Sequence, residues 1–181
     1  LLSNVEDLFT WYSAVMSGQV ITLESLAKAH TTTRLSNGNE IGYGYGWSLG
    51  LVQGSPVVQH GGGINGYLTA SVYLPEEKVF VAVFSNCNCH SPDKVAFDLA
   101  AEAIGKPFEW TAIDLPVSAM EEYVGVYESE FDGQRVITLE DGQLFSQRTG
   151  GSKYEIEPFG EDWFFFPDSH STLEFVRDEE G

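Results

Sequence analysis

The residues with most chemical potential in this chain lie in one run, His60-Gly61-Gly62-Gly63-Ile64-Asn65-Gly66-Tyr67. Glycine has no Cβ, so a substrate carbonyl can approach its backbone N–H closely. Fixed N–H donors of that kind stabilise the oxyanion that forms during acyl transfer. A histidine beside them can polarise or orient the substrate. The same run would also serve as a glycine-rich hairpin with an incidental histidine, since glycine favours turns for its own conformational reasons. Two further segments have the Ser-x-x-Lys spacing, Ser25-Leu26-Ala27-Lys28 and Ser91-Pro92-Asp93-Lys94. On a helix that spacing lets a lysine share the serine's proton. With 16 serines and 5 lysines in the chain, about half a match arises by chance, so both segments read as ordinary helix starts. Cys87, Cys89 and His90 are too few for a structural zinc site, and His30, His60 and His170 are scattered. We expect no metal there, with the two thiols turned apart.

These residues need elements to hold them. Ser3 and Glu6 have capping-box spacing, and Val5, Leu8, Phe9, Tyr12, Val15 and Met16 share a helical face that Gly18 ends. A short helix follows Thr22 and buries Leu23 and Leu26; Asn37-Gly38-Asn39 is a loop. From Ile41 the texture becomes strand: Tyr43, Tyr45 and Trp47 alternate with Gly44, Gly46 and Ser48. Glycines within a strand imply that another backbone or a ligand comes close. Residues 57–60 read as a short strand running into the glycines.

Leu68, Ala70, Val72 and Leu74 then form one face of a strand, and Pro75-Glu76-Glu77 a tight turn. Residues 79–84 are apolar throughout, which predicts a central strand covered on both faces. Ser91-Pro92 starts a helix that runs through Val95, Leu99 and Ile104 and ends at Gly105 and Pro107.

Residues 107–119 read as a linker after a first domain of 1–106. Beyond it, 120–181 reads as an all-β module with strands at 123–128, 135–139, 144–148, 154–158, 163–166 and 172–177. Turn signals at Asp132-Gly133, Asp141-Gly142 and Gly150-Gly151 separate several of them. The fold class is α+β: an antiparallel sheet with flanking helices, followed by a small antiparallel barrel-like domain. In that module Trp163-Phe164-Phe165-Phe166 reads as core or interface. Leu1-Leu2 runs almost straight into a helix start, and Asp178-Glu179-Glu180-Gly181 reads as a turn before a further strand. Both imply continuation of the chain.

The composition excludes several partners. The chain has 27 acidic and 9 basic residues, a net charge of -18. Such a surface repels phosphate backbones and anionic lipid, so we expect no nucleic acid and no membrane insertion. No phosphate loop, dinucleotide fingerprint or His-Glu-x-x-His motif is present, and no cofactor is expected.

Taken in order, Gly44-Tyr45-Gly46-Trp47, His60-Gly61-Gly62, Gly66-Tyr67, Leu74-Pro75-Glu76 and the apolar run ending at Asn86 resemble the C-terminal half of serine β-lactamase-like hydrolases. That group includes class C β-lactamases, D-aminopeptidases, carboxypeptidases and esterases. The likeness covers about residues 1–105, including Ser3-Asn4-Val5-Glu6-Asp7-Leu8 and Trp11. It implies that His60-Gly61-Gly62 is the third family motif, with His60 in place of lysine. It also implies that Gly63 N–H is an oxyanion donor and that Gly61, Gly62 and Asn65 contact substrate.

The family's nucleophilic Ser-x-x-Lys belongs ahead of this region. Its Tyr-x-Asn motif is absent, because none of the eight tyrosines has Asn two residues on. The resemblance therefore implies part of a serine hydrolase that acts on an ester, amide or D-amino-acid peptide, inert on its own and completed by an upstream N-terminal part. It further implies a periplasmic or extracellular setting, although no secretion signal is visible. Tyr123-Val124-Gly125-Val126-Tyr127 and Glu174-Phe175-Val176-Arg177-Asp178 resemble the small lipocalin-like domains appended to some of these hydrolases. Two alternatives stand beside this reading: a non-catalytic module whose β domain captures a small apolar ligand, and a pseudo-enzyme scaffold.

Overall fold

The computed structural model describes residues 3–129 and 133–176. The two chain ends discussed above, together with Asp132 and Arg177, lie outside these residues. The chain divides into two compact units, Leu1–Phe108 and Glu109–Gly181.

The first unit begins with α1 (Val5–Met16) and α2 (Leu23–Ala29). Asn4, not Ser3, caps α1: its side-chain oxygen accepts the Asp7 N–H at 2.9 Å. Both residue types cap well, and the one that reaches the free amide decides the start. Tyr12 and Val15 are buried, whereas Val5 and Phe9 are exposed, so the buried stripe is narrower than the apolar pattern predicts. In α2 the buried residues are Leu26 and Ala29, and Leu23 faces solvent.

A small hairpin of β1 (Thr33–Arg34) and β2 (Glu40–Ile41) follows. The tyrosine–glycine run after it is not an extended strand. Residues 42–47 bend, with a bridge between Tyr43 and Ser48. A Cβ on Gly44 would stand 1.9 Å from the Ala29 carbonyl oxygen at the end of α2. The expected close approach of another backbone is there, and it is what forces the bend.

Strands β3 (Ser48–Val52), β4 (Ser55–Ile64), β5 (Tyr67–Leu74) and β6 (Val79–Ser85) form an antiparallel sheet in chain order. β4 runs further than predicted because its glycines continue the ladder, Gly61 opposite Ala70, Gly62 opposite Thr69 and Gly63 opposite Leu68. Helix α3 (Pro92–Ala103) lays Ala96, Ala100 and Ala101 on one face of the sheet, against residues that include Val52, Val57, Val72 and Leu74. Alanines let the helix approach closely, and this packing leaves Val95 and Leu99 exposed.

On the other face Tyr12, Ala29, Trp47 and Val58 form a second cluster with Phe80 and Tyr73 against it. The Tyr12 ring lies 4.4 Å from Phe80 and 5.2 Å from Trp47, centroid to centroid. β6 is thus covered on both faces, as its composition implies, but it is an edge strand of this sheet and not a central one. Beyond Ser85 the chain leaves the sheet, and Cys87 and Cys89 are joined as a disulfide. The expectation of thiols turned apart is wrong: even in extended chain, residues two apart share a face. No helix among the described residues is long and apolar enough to cross a membrane.

The second unit starts with residues 109–116, in which Trp110 lies within 6.0 Å of the Phe159, Phe165 and His170 rings. A short α4 (Val117–Met120) and a 3-10 turn (Glu121–Tyr123) lead into the sheet. Its strands are β7 (Gly125–Ser129), β8 (Gly133–Glu140), β9 (Gln143–Arg148), β10 (Lys153–Gly160), β11 (Trp163–Phe165) and β12 (Thr172–Glu174). They pair in chain order as an up-and-down meander with β7 and β12 at its edges. The sheet curls into a half-barrel, and the rings of Tyr127 and Phe175 meet at 4.9 Å across the gap. Tyr123, Ile137, Leu144, Ile156 and Phe164 fill its interior.

Candidate active site

The site is best understood from the edges of β4. Gln53 and Gly54 join β3 to β4 with φ of 48 and 83, a tight type I′ turn. The pair flanking such a turn, Val52 and Ser55, is hydrogen-bonded, and bonded pairs recur at every second residue. Gln59 therefore points its N–H and C=O at Ser48, the first residue of β3. Gly61 and Gly63 point the same way, past the place where β3 begins. The β4–β5 ladder agrees: Ile64 and Tyr67 flank the Asn65-Gly66 turn, so Gly62 and His60 bond to β5 while Gly61 and Gly63 do not. The result is a short exposed edge on which two backbone N–H groups face the same side.

His60 is anchored at the start of this edge. Its Nδ1 lies 2.6 Å from the Gly61 carbonyl oxygen and its Nε2 3.0 Å from the Tyr43 hydroxyl. A carbonyl can only accept, so Nδ1 carries a proton, and the tautomer protonated there alone accepts the Tyr43 O–H at Nε2. Tyr43 reaches His60 because residues 42–47 bend. Beneath the edge, Ser71 donates to the His60 carbonyl oxygen at 2.9 Å, and Tyr12 Oη lies 3.0 Å from Ser71 Oγ. This short chain of hydroxyls ties α1 to β5 and β5 to the histidine's backbone.

Gly62 and Gly63 also have little room for a side chain. A Cβ would meet Thr69 Oγ1 at 3.1 Å from Gly62, and Leu68 Cδ2 at 2.9 Å from Gly63. On Gly61 a Cβ would come 3.0 Å from the Thr69 carbonyl oxygen and 3.3 Å from an Asp93 carboxylate oxygen. All of this lies within a region with a known family. The model of the beta-lactamase family matches residues 1–105. The chain belongs to the beta-lactamase family.

Among curated proteins it is similar to penicillin-binding protein 4* of Bacillus subtilis (strain 168), with 29% identity over 98% of this chain and 42% of that protein. Among solved structures it is similar to the octameric penicillin-binding protein homologue from Pyrococcus abyssi, with a TM-score of 0.56 and 22% identity, covering 97% of this chain and 44% of that one. The chain thus spans less than half the length of either. Both likenesses extend through the second unit as well as the first.

In this beta-lactamase-family chain the glycines and His60 lie together by strand continuity. Asn65 occupies the turn, one residue beyond Ile64, which lies about 13 Å along the strand from His60. The two Ser-x-x-Lys segments behave as helix starts. Thr22 Oγ1 caps the Ser25 N–H, and Lys28 pairs with Glu24 at 2.9 Å. Ser91 is the N-cap residue of α3, and Lys94 pairs with Asp98 at 3.0 Å. In each, the lysine is drawn to a carboxylate. Tyr43 as a partner of His60 was not legible in the sequence, since its reach depends on the bend.

The Tyr12–Ser71 link has a testable pH signature. Burial pushes the Tyr12 phenol from 10.0 up to about 12, with the Ser71 hydrogen bond acting weakly the other way. A phenol whose folded pKa is raised contributes stability that is intact below about pH 10 and is lost as pH climbs towards 12. At about 1.4 kcal/mol per pH unit, the loss reaches at most about 2–3 kcal/mol. Chemical denaturation between pH 8 and 12 should therefore show a steeper alkaline fall for the native chain than for Tyr12→Phe. Parallel curves would mean that the phenol is not desolvated.

Proposed function

We propose that this chain is the C-terminal part of a serine hydrolase that works through an acyl-enzyme, with the nucleophilic serine on a segment N-terminal to it. The observation that carries the reading is the exposed β4 edge, where Gly61 and Gly63 direct backbone N–H groups to one side next to an anchored histidine. An attacking serine would turn the substrate carbonyl into a tetrahedral oxyanion, and Gly63 N–H would donate to it. The serine's own N–H would be the second donor. Water would then release the acyl group.

His60, hydrogen-bonded at both ring nitrogens, would orient the substrate rather than attack it. A neutral imidazole also lacks the fixed positive charge of a lysine. That favours an ester, an amide or a D-amino-acid peptide over a substrate held by its carboxylate.

The test is a fluorophosphonate probe read by intact mass, applied to this chain and to a longer protein that carries a Ser-x-x-Lys segment ahead of it. We expect no added mass on the 181-residue chain and one stoichiometric adduct on the longer protein. An adduct on Ser25 or Ser91 of the short chain would overturn the placement of the nucleophile. No adduct on the longer protein would leave a non-catalytic scaffold.

A further inference from the structure

The concave face of the second unit carries a charged cavity that the hydrolase reading does not use. Along β8 the inward positions are Arg135, Ile137 and Leu139; along β9 they are Leu144, Ser146 and Arg148, paired Leu139–Leu144, Ile137–Ser146 and Arg135–Arg148. Near the Asp141-Gly142 turn the facing pair is Leu139 and Leu144, both part of the core. The other end presents two arginines directly opposite each other.

Counting from the Asp141-Gly142 turn, with φ of 50 and 82, Glu140–Gln143 is the bonded flanking pair, so Arg135–Arg148 is a non-bonded pair. Side chains approach most closely at such pairs, so the two arginines border the same space. A net charge of -18 with only 9 basic residues makes two facing arginines an unusual use of positive charge.

Arg135 is held in place. Its Nη1 donates to the buried Ser146 Oγ at 3.1 Å, and its guanidinium lies 5.8 Å from the centroid of the Phe166 ring. In front of it is a cavity of about 480 Å³ bordered by Arg148, Tyr154, Phe166 and Pro167. That is the size of a small-molecule site, with aromatic walls and a few convergent polar groups. Two carboxylates also border it. Glu155 belongs to the opposite face of β10, opposite Phe145, and accepts from Gln143; Asp168 is exposed in the β11–β12 connection. The guanidinium groups are on the inward face.

We propose that this cavity binds a small organic carboxylate with a flat apolar body. The carboxylate is received by Arg135 and Arg148, and the body lies against Phe166 and Tyr154. Each guanidinium has five N–H donors in a fork that matches a carboxylate, so bonds made elsewhere still leave donors for a ligand.

The experiment titrates the whole chain with 2-naphthoate and with its neutral isostere 2-naphthamide, following fluorescence and heat. We expect saturable 1:1 binding of naphthoate at least about tenfold tighter than naphthamide, the usual worth of a charge-assisted hydrogen bond. Arg148→Gln, at an exposed position, should weaken naphthoate about tenfold and leave naphthamide unchanged. Arg135→Gln should do the same, with circular dichroism reporting its fold. Absence of saturable naphthoate binding to the native chain overturns the proposal. So does equal affinity for acid and amide, or an Arg148→Gln variant that binds naphthoate as the native chain does. None of these outcomes bears on the hydrolase reading, which is read by the fluorophosphonate adduct.

Discussion

Gly63→Pro, placed in a longer protein that carries the family's N-terminal serine, should lower turnover by about 10²–10³-fold, the usual effect of removing one oxyanion donor. Proline removes the N–H that Gly63 points away from β5 and leaves the ladder bonds of Gly62 and Ile64 intact. The proper reference is Gly63→Ala. Alanine adds the same Cβ, with the same 2.9 Å approach to Leu68 Cδ2, at the flexible end of a side chain, but keeps the N–H. The ratio of the two variants' kcat values therefore isolates the hydrogen bond from the crowding. Equal kcat in the two would remove Gly63 from the oxyanion site. A fall confined to KM would make it a contact to the ground state only.

Much of this architecture was legible because it is local. In the second unit each strand pairs with its sequence neighbour, and turns such as Asp141-Gly142 have the positive φ that those residue types signal. Pattern and turn chemistry then suffice. In the first unit the misreadings are non-local. The alternation of Tyr43, Tyr45 and Trp47 has strand period, yet the Ala29 carbonyl leaves no room for a Cβ at Gly44, and the run bends.

The apolar β6 looks central because helices cover both faces, a situation that composition alone does not distinguish from flanking by strands. In α3 hydrophobicity points to Val95 and Leu99, whereas close packing favours Ala96 and Ala100.

The candidate site divides in the same way. The run from His60 to Gly63 advertises close backbone approach, but the exposed edge depends on β3 beginning at Ser48, opposite Gln59. Nor could spacing alone pair Tyr43 with His60, which are 17 residues apart. The arginine pair is different. Arg135 and Arg148 fall opposite each other by simple counting from Asp141-Gly142, so register could have found it once that turn was assigned.

Phe164→Ala should cost about 3–5 kcal/mol, as removal of a fully buried aromatic ring usually does. Phe164 has no exposed surface and packs its ring 4.8 Å from Tyr123 and 5.2 Å from Phe175. These rings join the half-barrel's core to the segment after β12, and loss of the central ring leaves Tyr123 and Phe175 facing a void. A unit of this size rarely has more than about 3–5 kcal/mol of stability to lose. The expected outcome is that β7–β12 unfold at room temperature. The first unit has its own core around Val52, Val72, Leu74 and Ala100. Hydrogen exchange read by peptide mass should show β8–β10 amides losing protection while β4–β5 amides keep theirs. Phe164→Leu, which refills most of the space, should restore protection to β8–β10. Simultaneous loss in β4–β5 would mean that the units fold as one cooperative body. In that case the arginine cavity could not be removed without disturbing the glycine edge, and only point substitutions such as Arg148→Gln would separate the two sites.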